Sequence, residues 1–374
     1  MIAFAGVAAL VLALVALAGP VARRYGRSRA TAVAAAAALA LVAEPVRAAL
    51  GHGGLDLVLF GLVTADVVAL RRSAWARSRA AWWPGPPASR SPASRSTPSH
   101  SAVSRATSSS AASRLFALRL LGARPGIALL RRAWATGAWA GVGIGVATAL
   151  ALGPVVFLVY LVVSRQWRAA MTAAGTAATV LGSAVLLGRS PSFGGDGPLD
   201  DPLNQSLAGV LARLYDSSGA PVLIWLSFSG LLLAVGMIRA RSAHADGDEI
   251  AAFTLAGLTG AAIGPVSGVH ALIWLLPTVL ILVDAAARLR VTTRRPRRQR
   301  FPGAGHATAA ALVYLLILVG PRWTTGWNGY AFAMILLLNA LPWRPGVAPA
   351  VPTRRPRPPQ PIRRAPAIPG PRGS

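Results

Sequence analysis

Apolar side chains run along this chain in stretches suited to crossing a bilayer, which takes about 20 helical residues each. They fall at about 2–19, 31–50, 55–70, 134–152, 154–164, 170–187, 221–238, 250–266, 269–287, 307–320 and 329–342. Pro154 interrupts one long apolar region and is read as breaking a single span into two pieces, because proline removes a backbone donor inside a helix. The pattern then predicts about ten crossings. No segment alternates apolar and polar residues as a membrane barrel strand does. The expected fold class is all-α integral membrane, a multi-span helical bundle. The expected organisation is membrane spans over 1–83, a Pro/Ser/Arg linker over 84–132, further spans over 133–343 with an outward loop at 188–220, and a basic Pro-rich tail over 344–374. Pro84–Arg114 within the linker, and the tail, carry almost no large apolar residues, so linker and tail are expected to be disordered and cytoplasmic.

One loop breaks the monotony of the spans. Asn204–Leu214 reads NQSLAGVLARL, with apolar residues at Leu207, Val210, Leu211 and Leu214. That i, i+3, i+4, i+7 spacing predicts a short amphipathic helix. Ser206 and Arg213 share its opposite face, and Asn204 is placed to cap its free N–H groups. Such a helix suits a membrane surface.

Composition supports the membrane reading. Of 374 residues 54% are hydrophobic and 13% charged, where soluble domains carry about 25% charged residues. The net charge of +27 comes entirely from arginine, with no lysine, as in proteins from a GC-rich genome such as an actinobacterial one. The arginines lie between apolar runs, without any nucleic-acid recognition motif, so they point to topology and anionic lipid rather than nucleic acid. Cysteine is absent, which excludes disulfides, thiolate metal sites and a cysteine nucleophile.

The arginines also choose sides. Arg23, Arg24, Arg27 and Arg29 follow the first span, and Arg71, Arg72, Arg77 and Arg79 the third. Arg165 and Arg168, Arg239 and Arg241, the run Arg288–Arg300, and Arg344 with the tail complete the set. Loops 51–54, 188–220, 264–268 and 321–328 carry little positive charge. By the positive-inside rule the basic loops are cytoplasmic and 188–220 faces outward. The N-terminus is then outside, as expected if an odd number of spans preceded it. The charge order does not fit a signal peptide.

Candidate chemistry is sparse. The chain has no Gly-rich phosphate loop, no HExxH and no serine elbow, and its five histidines are scattered. No His and carboxylate spacing suggests a metal site. Gly137–Gly145 (GAWAGVGIG) reads as a small-residue face for close helix packing. Glu44 and Arg47 form a potential i, i+3 pair before the turn GHGGLD, which ends at Asp56. His270 lies in a Pro/Gly turn, GPVSGVHALIW, between two spans.

Several of these segments, in order, resemble glycosyltransferase family 87, the bacterial polyprenyl-phosphate-dependent mannosyltransferases. EPVRAALGHGGLD is similar to the family's EPV…GQxN turn, and ATALALGPVVFLVYLVVSRQWRAA to its AIKLTP…FLLYLL…RRWRAA segment. LNQSLAGVLARL resembles its NQS…R segment, and GPVSGVHALIWLLPTVLIL its SPxSWxHHxVWLLP segment. Together these span about residues 40–342. The sequence departs from the pattern at Ala151, at Gly54 and Asp56, and at Gly268 and Ala271. No residue maps onto the family's catalytic Asp, which precedes every matched segment. This and the N-out start fit either a fragment from a late start codon or a decayed, inactive homologue.

The resemblance implies a GT-C-like enzyme of the cell membrane that works at its outer face. It would transfer mannose from a polyprenyl-phosphate sugar donor to a glycolipid or glycan acceptor, without a cofactor. Such transfer needs a carboxylate base for the acceptor hydroxyl and donors for the departing phosphate. Arg213 is the candidate phosphate contact, because a guanidinium fork fits phosphate. Asn204, Gln205 and Ser206 are candidates for sugar hydroxyls, with His270 in the same outward pocket. Asp56, Asp200 and Asp201 are the carboxylates available as base. The competing expectations are a non-catalytic scaffold subunit and a transporter. Against a transporter, the break at Pro154 has no repeat partner and the polar groups cluster outside the spans.

The arginine alternation yields a direct expectation. In intact cells, Ser192→Cys should react with a membrane-impermeant thiol reagent and Ser109→Cys should not. The opposite pattern would invert the topology.

Overall fold

The computed structural model describes residues 2–82, 133–151, 153–188, 198–216, 219–292, 303–320 and 328–344. The linker over 84–132 and nearly all of the tail lie outside them. The described residues are helical, with no strand. The helices are α1 (Ile2–Arg24), α2 (Arg29–Val42), α3 (Glu44–Gly51), α4 (Leu55–Trp82), α5 (Val142–Leu150), α6 (Val155–Val163) and α7 (Trp167–Leu186). After them come α8 (Leu207–Leu214), α9 (Val222–Ala245), α10 (Glu249–Ile263), a 3-10 turn (Val269–Trp274), α11 (Leu275–Thr292), α12 (Ala304–Val319) and α13 (Gly329–Ala340).

Four helical stretches are long and apolar enough to cross a membrane: Ile2–Arg24, Trp167–Leu186, Val222–Ala245 and Val269–Val291. A fifth arises if α2 and α3, bent by 66° at Ala43, count as one broken span. The helical membrane architecture therefore holds, while ten full-length crossings are not found among the described residues. The reason is length. Helix α10 has 15 residues, and α5 and α6 have 9 each, so at 1.5 Å per residue each of the short pair covers about half of the hydrocarbon core.

Pro154 does something other than interrupt a single pass. Helix α5 starts beside Leu62 and Asp66 and ends at Leu150, next to Leu55. Helix α6 then returns, and Tyr160 Oη donates to Glu249 Oε2 at 3.0 Å, at the opposite end of α10. The Leu150–Pro154 stretch is thus the apex of a hairpin. Proline fits there because the first turn of α6 needs no donor from it.

The small residues of 137–145 let this hairpin seat. A Cβ at Gly143 would meet the Leu62 carbonyl, and one at Gly145 the Ala173 carbonyl. Gly141 has φ 102 and rests against Ala169 O. Helix α10 lies at the centre, with 13 of its 15 residues buried. Its sequence is apolar or small all round, as a helix enclosed on every side requires. Asp248 starts it, accepting Ala251 N at 3.2 Å.

Helix α8 departs from its expected form in two ways. Its cap is Ser206, whose Oγ accepts Gly209 N at 3.1 Å, rather than Asn204. Its buried face is Ala208, Gly209, Leu211 and Ala212, whereas Leu214 is 73% exposed. Small side chains let α8 pack into the bundle, which shifts the buried face away from the greasiest stripe. The Glu44–Arg47 pair forms at 3.5 Å, with Pro45 in the first turn of α3.

Gly143→Leu should separate α4 from α5. Overpacking of this kind costs about 1–3 kcal/mol, read as a lower melting temperature in detergent; an unchanged melting temperature would show that the hairpin does not seat this closely.

Candidate functional site

Three segments far apart in sequence enclose one cavity of about 390 Å³. The first turn of α4 contributes Asp56 and Phe60, and the α5–α6 hairpin contributes Pro154 and Phe157. The end of α10 and the 3-10 turn contribute Ser267, His270 and Trp274. The floor is aromatic: the Trp274 ring lies 5.1 Å from Phe60, edge-on, and 5.1 Å from Phe157. Gly257 makes room for it, since a Cβ there would collide with the indole.

The polar groups gather at the mouth. Asp56 is half-buried in the first turn of α4, where helix N–H groups favour a carboxylate. His270 is half-buried, and its ring lies 5.2 Å from that of the exposed His52. His52 Nδ1 is 2.8 Å from Ala48 O. A carbonyl only accepts, so Nδ1 carries the proton and Nε2 is left for another partner. Of the three carboxylates singled out from sequence, Asp56 lines this cavity. Asp200 is exposed and Asp201 Oδ1 accepts Leu203 N at 2.8 Å, both outside it.

The NQS segment lies beneath the cavity, not in it. Asn204 Nδ2 donates to Leu199 O at 3.1 Å and Pro265 O at 3.2 Å. Its Oδ1 accepts Ser206 N at 3.2 Å and Ser267 N at 3.0 Å. Ser206 Oγ donates to Pro265 O at 3.1 Å, and Gln205 N to Ser267 O at 3.0 Å. Gln205 Nε2 donates to Pro202 O at 2.8 Å, while its Oε1 is buried with no partner among the described residues. The three side chains are 2%, 0% and 0% exposed. They hold the turn that carries Ser267 and His270.

Arg213 is bound into the same support. Its guanidinium donates to Asp201 O at 2.7 Å, to Asn204 O at 2.9 Å and to Asn328 Oδ1. Burial lowers its pKa, and the nearby Asp201 and Asp200 act the other way. It does not line the cavity.

Sequence reasoning missed Phe60, Phe157, Ser267 and Trp274 as cavity wall. Ser267 and Trp274 stand inside the GPVSGVHALIW segment, and Phe157 follows Pro154. Phe60 carries no signal beyond its apolar run.

Asn204→Leu strands the Ser206 and Ser267 N–H groups and the Leu199 carbonyl and leaves Pro265 O with Ser206 Oγ alone; a buried unpaired group costs about 1–3 kcal/mol. The chain should lose stability by several degrees and become sensitive to protease near residue 266. Asp200→Asn should leave both readouts unchanged, and stability retained in Asn204→Leu would remove the latch.

Known proteins bear on this arrangement. Residues 115–265 match the family model described as glycosyltransferase family 87. A polyprenol-phosphate-mannose-dependent alpha-(1-2)-phosphatidylinositol mannoside mannosyltransferase of Mycobacterium tuberculosis is 32% identical over 164 residues, covering 41% of this chain and 37% of that protein. The pentamannoside mannosyltransferase of the same species is 27% identical over 242 residues, covering 58% of this chain and 54% of that protein. The chain thus spans about half or less of the length of these curated relatives. No solved structure matches it. The hairpin, the NQS segment and α10 all fall within the matched region.

Proposed function

We propose that the protein is a multi-pass glycosyltransferase of the cell membrane. It transfers a hexose, mannose by analogy with its relatives, from a polyprenyl-phosphate sugar to a cell-envelope glycolipid or glycan. The observation that carries this is convergence. Segments that resemble the family from residue 44, residue 147 and residue 264 onward build one cavity, and a fourth braces it. The relatives' names point to a phosphatidylinositol mannoside as the kind of acceptor.

The cavity opens at the arginine-poor end of the bundle. Arg24, Arg71, Arg288 and Arg344 gather at the other end. By the positive-inside rule the cavity faces outward. The α5–α6 hairpin and the short helices complete a bundle of about ten passes through a locally thin bilayer.

Asp56 takes the proton of the acceptor hydroxyl as its oxygen attacks the anomeric carbon. The bond from that carbon to the phosphate oxygen breaks, and the phosphate leaves with the electron pair. His270, with His52 beside it, donates to the departing phosphate. Phe60, Phe157 and Trp274 give the sugar ring an apolar face. Asn204, Gln205, Ser206 and Arg213 act by holding the turn under His270.

The test is mannosyl transfer from polyprenyl-phosphate mannose to phosphatidylinositol mannosides in membranes. Removing a general base costs about 10²–10⁴-fold, so Asp56→Asn should lose that much, with normal folded yield. Asp200→Asn and Asp201→Asn should stay near the unaltered rate. Wild-type transfer by Asp56→Asn would move the base elsewhere.

A further inference from the structure

The arginine-rich end of the bundle holds a second polar cleft, remote from the cavity at the other end. It lies between the end of α1, the middle of α4, the second half of α11 and the start of α10. Its carboxylates are already engaged. Asp284 accepts Arg344 through both guanidinium arms and Tyr25 Oη at 3.2 Å, and lies 3.4 Å from Arg288. Asp248 caps α10 and accepts Arg344 N at 3.1 Å. Glu249 accepts Tyr160 Oη at 3.0 Å and pairs with His244 at 2.8 Å.

Two cations remain. Arg24 and Arg71 line the cleft without a hydrogen bond or ion pair among the described residues. They face the same space as Arg344 and Arg288, so like charges are held together across one opening. An anion placed there relieves that repulsion and meets two unengaged guanidinium forks.

The remaining walls identify its source. Leu17, Val21, Leu280 and Ile281 continue from the charged groups into the apolar helix faces. Three of the arginines also begin basic runs, Arg71–Arg79, Arg288–Arg300 and Arg344 onward. A charged head above an apolar wall, ringed by basic chain, matches an anionic phospholipid.

We infer that Arg24 and Arg71 form a phosphate site for an anionic phospholipid in the leaflet at the arginine-bearing end. The lipid phosphate bridges the two guanidinium groups, and its acyl chains lie along α1 and α11. The bound lipid locks α1, α4 and α11 together around the Asp284–Arg344 pair.

The experiment uses the full chain in neutral detergent, with phosphatidylglycerol, phosphatidylcholine of the same acyl chains, and inorganic phosphate as separate probes. Bound lipid is counted by native mass spectrometry, and thermal stability is measured in parallel. Phosphatidylglycerol should stay bound and raise the melting temperature, whereas phosphatidylcholine should do neither. The double variant Arg24→Gln, Arg71→Gln should bind phosphatidylglycerol at least tenfold more weakly, and Arg24→Lys, Arg71→Lys should recover part of that. Arg168→Gln with Arg241→Gln removes two exposed arginines outside the cleft and should bind normally. Equal loss in that control would mean diffuse attraction and overturn the site. Unchanged binding in the Gln double variant, with a normal elution profile, would also overturn it. Stabilisation by millimolar inorganic phosphate equal to that by phosphatidylglycerol would assign the site to free phosphate and overturn the lipid.

Discussion

The arrangement depends on the carboxamide of Asn204. It is buried, and it uses both N–H groups and accepts two backbone N–H groups. Those bonds fasten the loop after α7 to the turn after α10. Buried backbone groups must be paired, and in this turn Pro265 O, Ser267 N and Ser267 O find their partners on the loop that bears Asn204. Without Asn204 and Ser206, Pro265 O and Ser267 N would be left unpaired, and the strip of chain bearing His270 would lose its position. The guanidinium of Arg213 then ties this loop to Asn328 at the head of α13.

Around that latch, small residues do the positioning. The glycines of 137–145 bring the α5–α6 hairpin against α4 and α7 at near-backbone distance, a packing mode suited to helices in lipid, where apolar burial alone gives little drive. Gly257 on α10 admits the Trp274 ring, so the central helix shapes the cavity floor. The two ends of the bundle differ in kind. One carries Asp56, His52 and His270 around an aromatic-floored cavity. The other carries arginines neutralised in part by Asp284, Asp248 and Glu249.

Much of this was legible in the sequence. Long apolar runs give helices, the arginine alternation sorts their ends, and the Gly137–Gly145 face packs as such runs do. Three features escaped. The short helix α10 read as a full span, and α5 with α6 as two pieces of one span, because hydropathy registers composition, not where a chain turns back. The hairpin at Pro154 shows this, since a proline within a run and a proline at an apex look alike. The NQS segment attracted attention for its polar side chains, yet a residue that satisfies buried backbone and one that meets a ligand share the same chemistry. Partners more than 50 residues away decide between them, as Pro265 and Ser267 do for Asn204. Trp274 and Phe60 gave no periodic signal, because cavity walls form only after distant helices meet.

The central claim is that the cavity bounded by Asp56, Pro154 and His270 receives the lipid-linked sugar. Leu55 lines it and is 41% exposed, whereas Leu231 lies on the outer face of α9 and is 59% exposed. The direct measurement places a benzophenone amino acid at each position in turn and illuminates membranes containing radiolabelled polyprenyl-phosphate mannose. Capture at Leu55 should be strong and abolished by excess unlabelled donor, while capture at Leu231 should be weak and indifferent to competition. Competable capture at Leu231, or none at Leu55, would contradict the account.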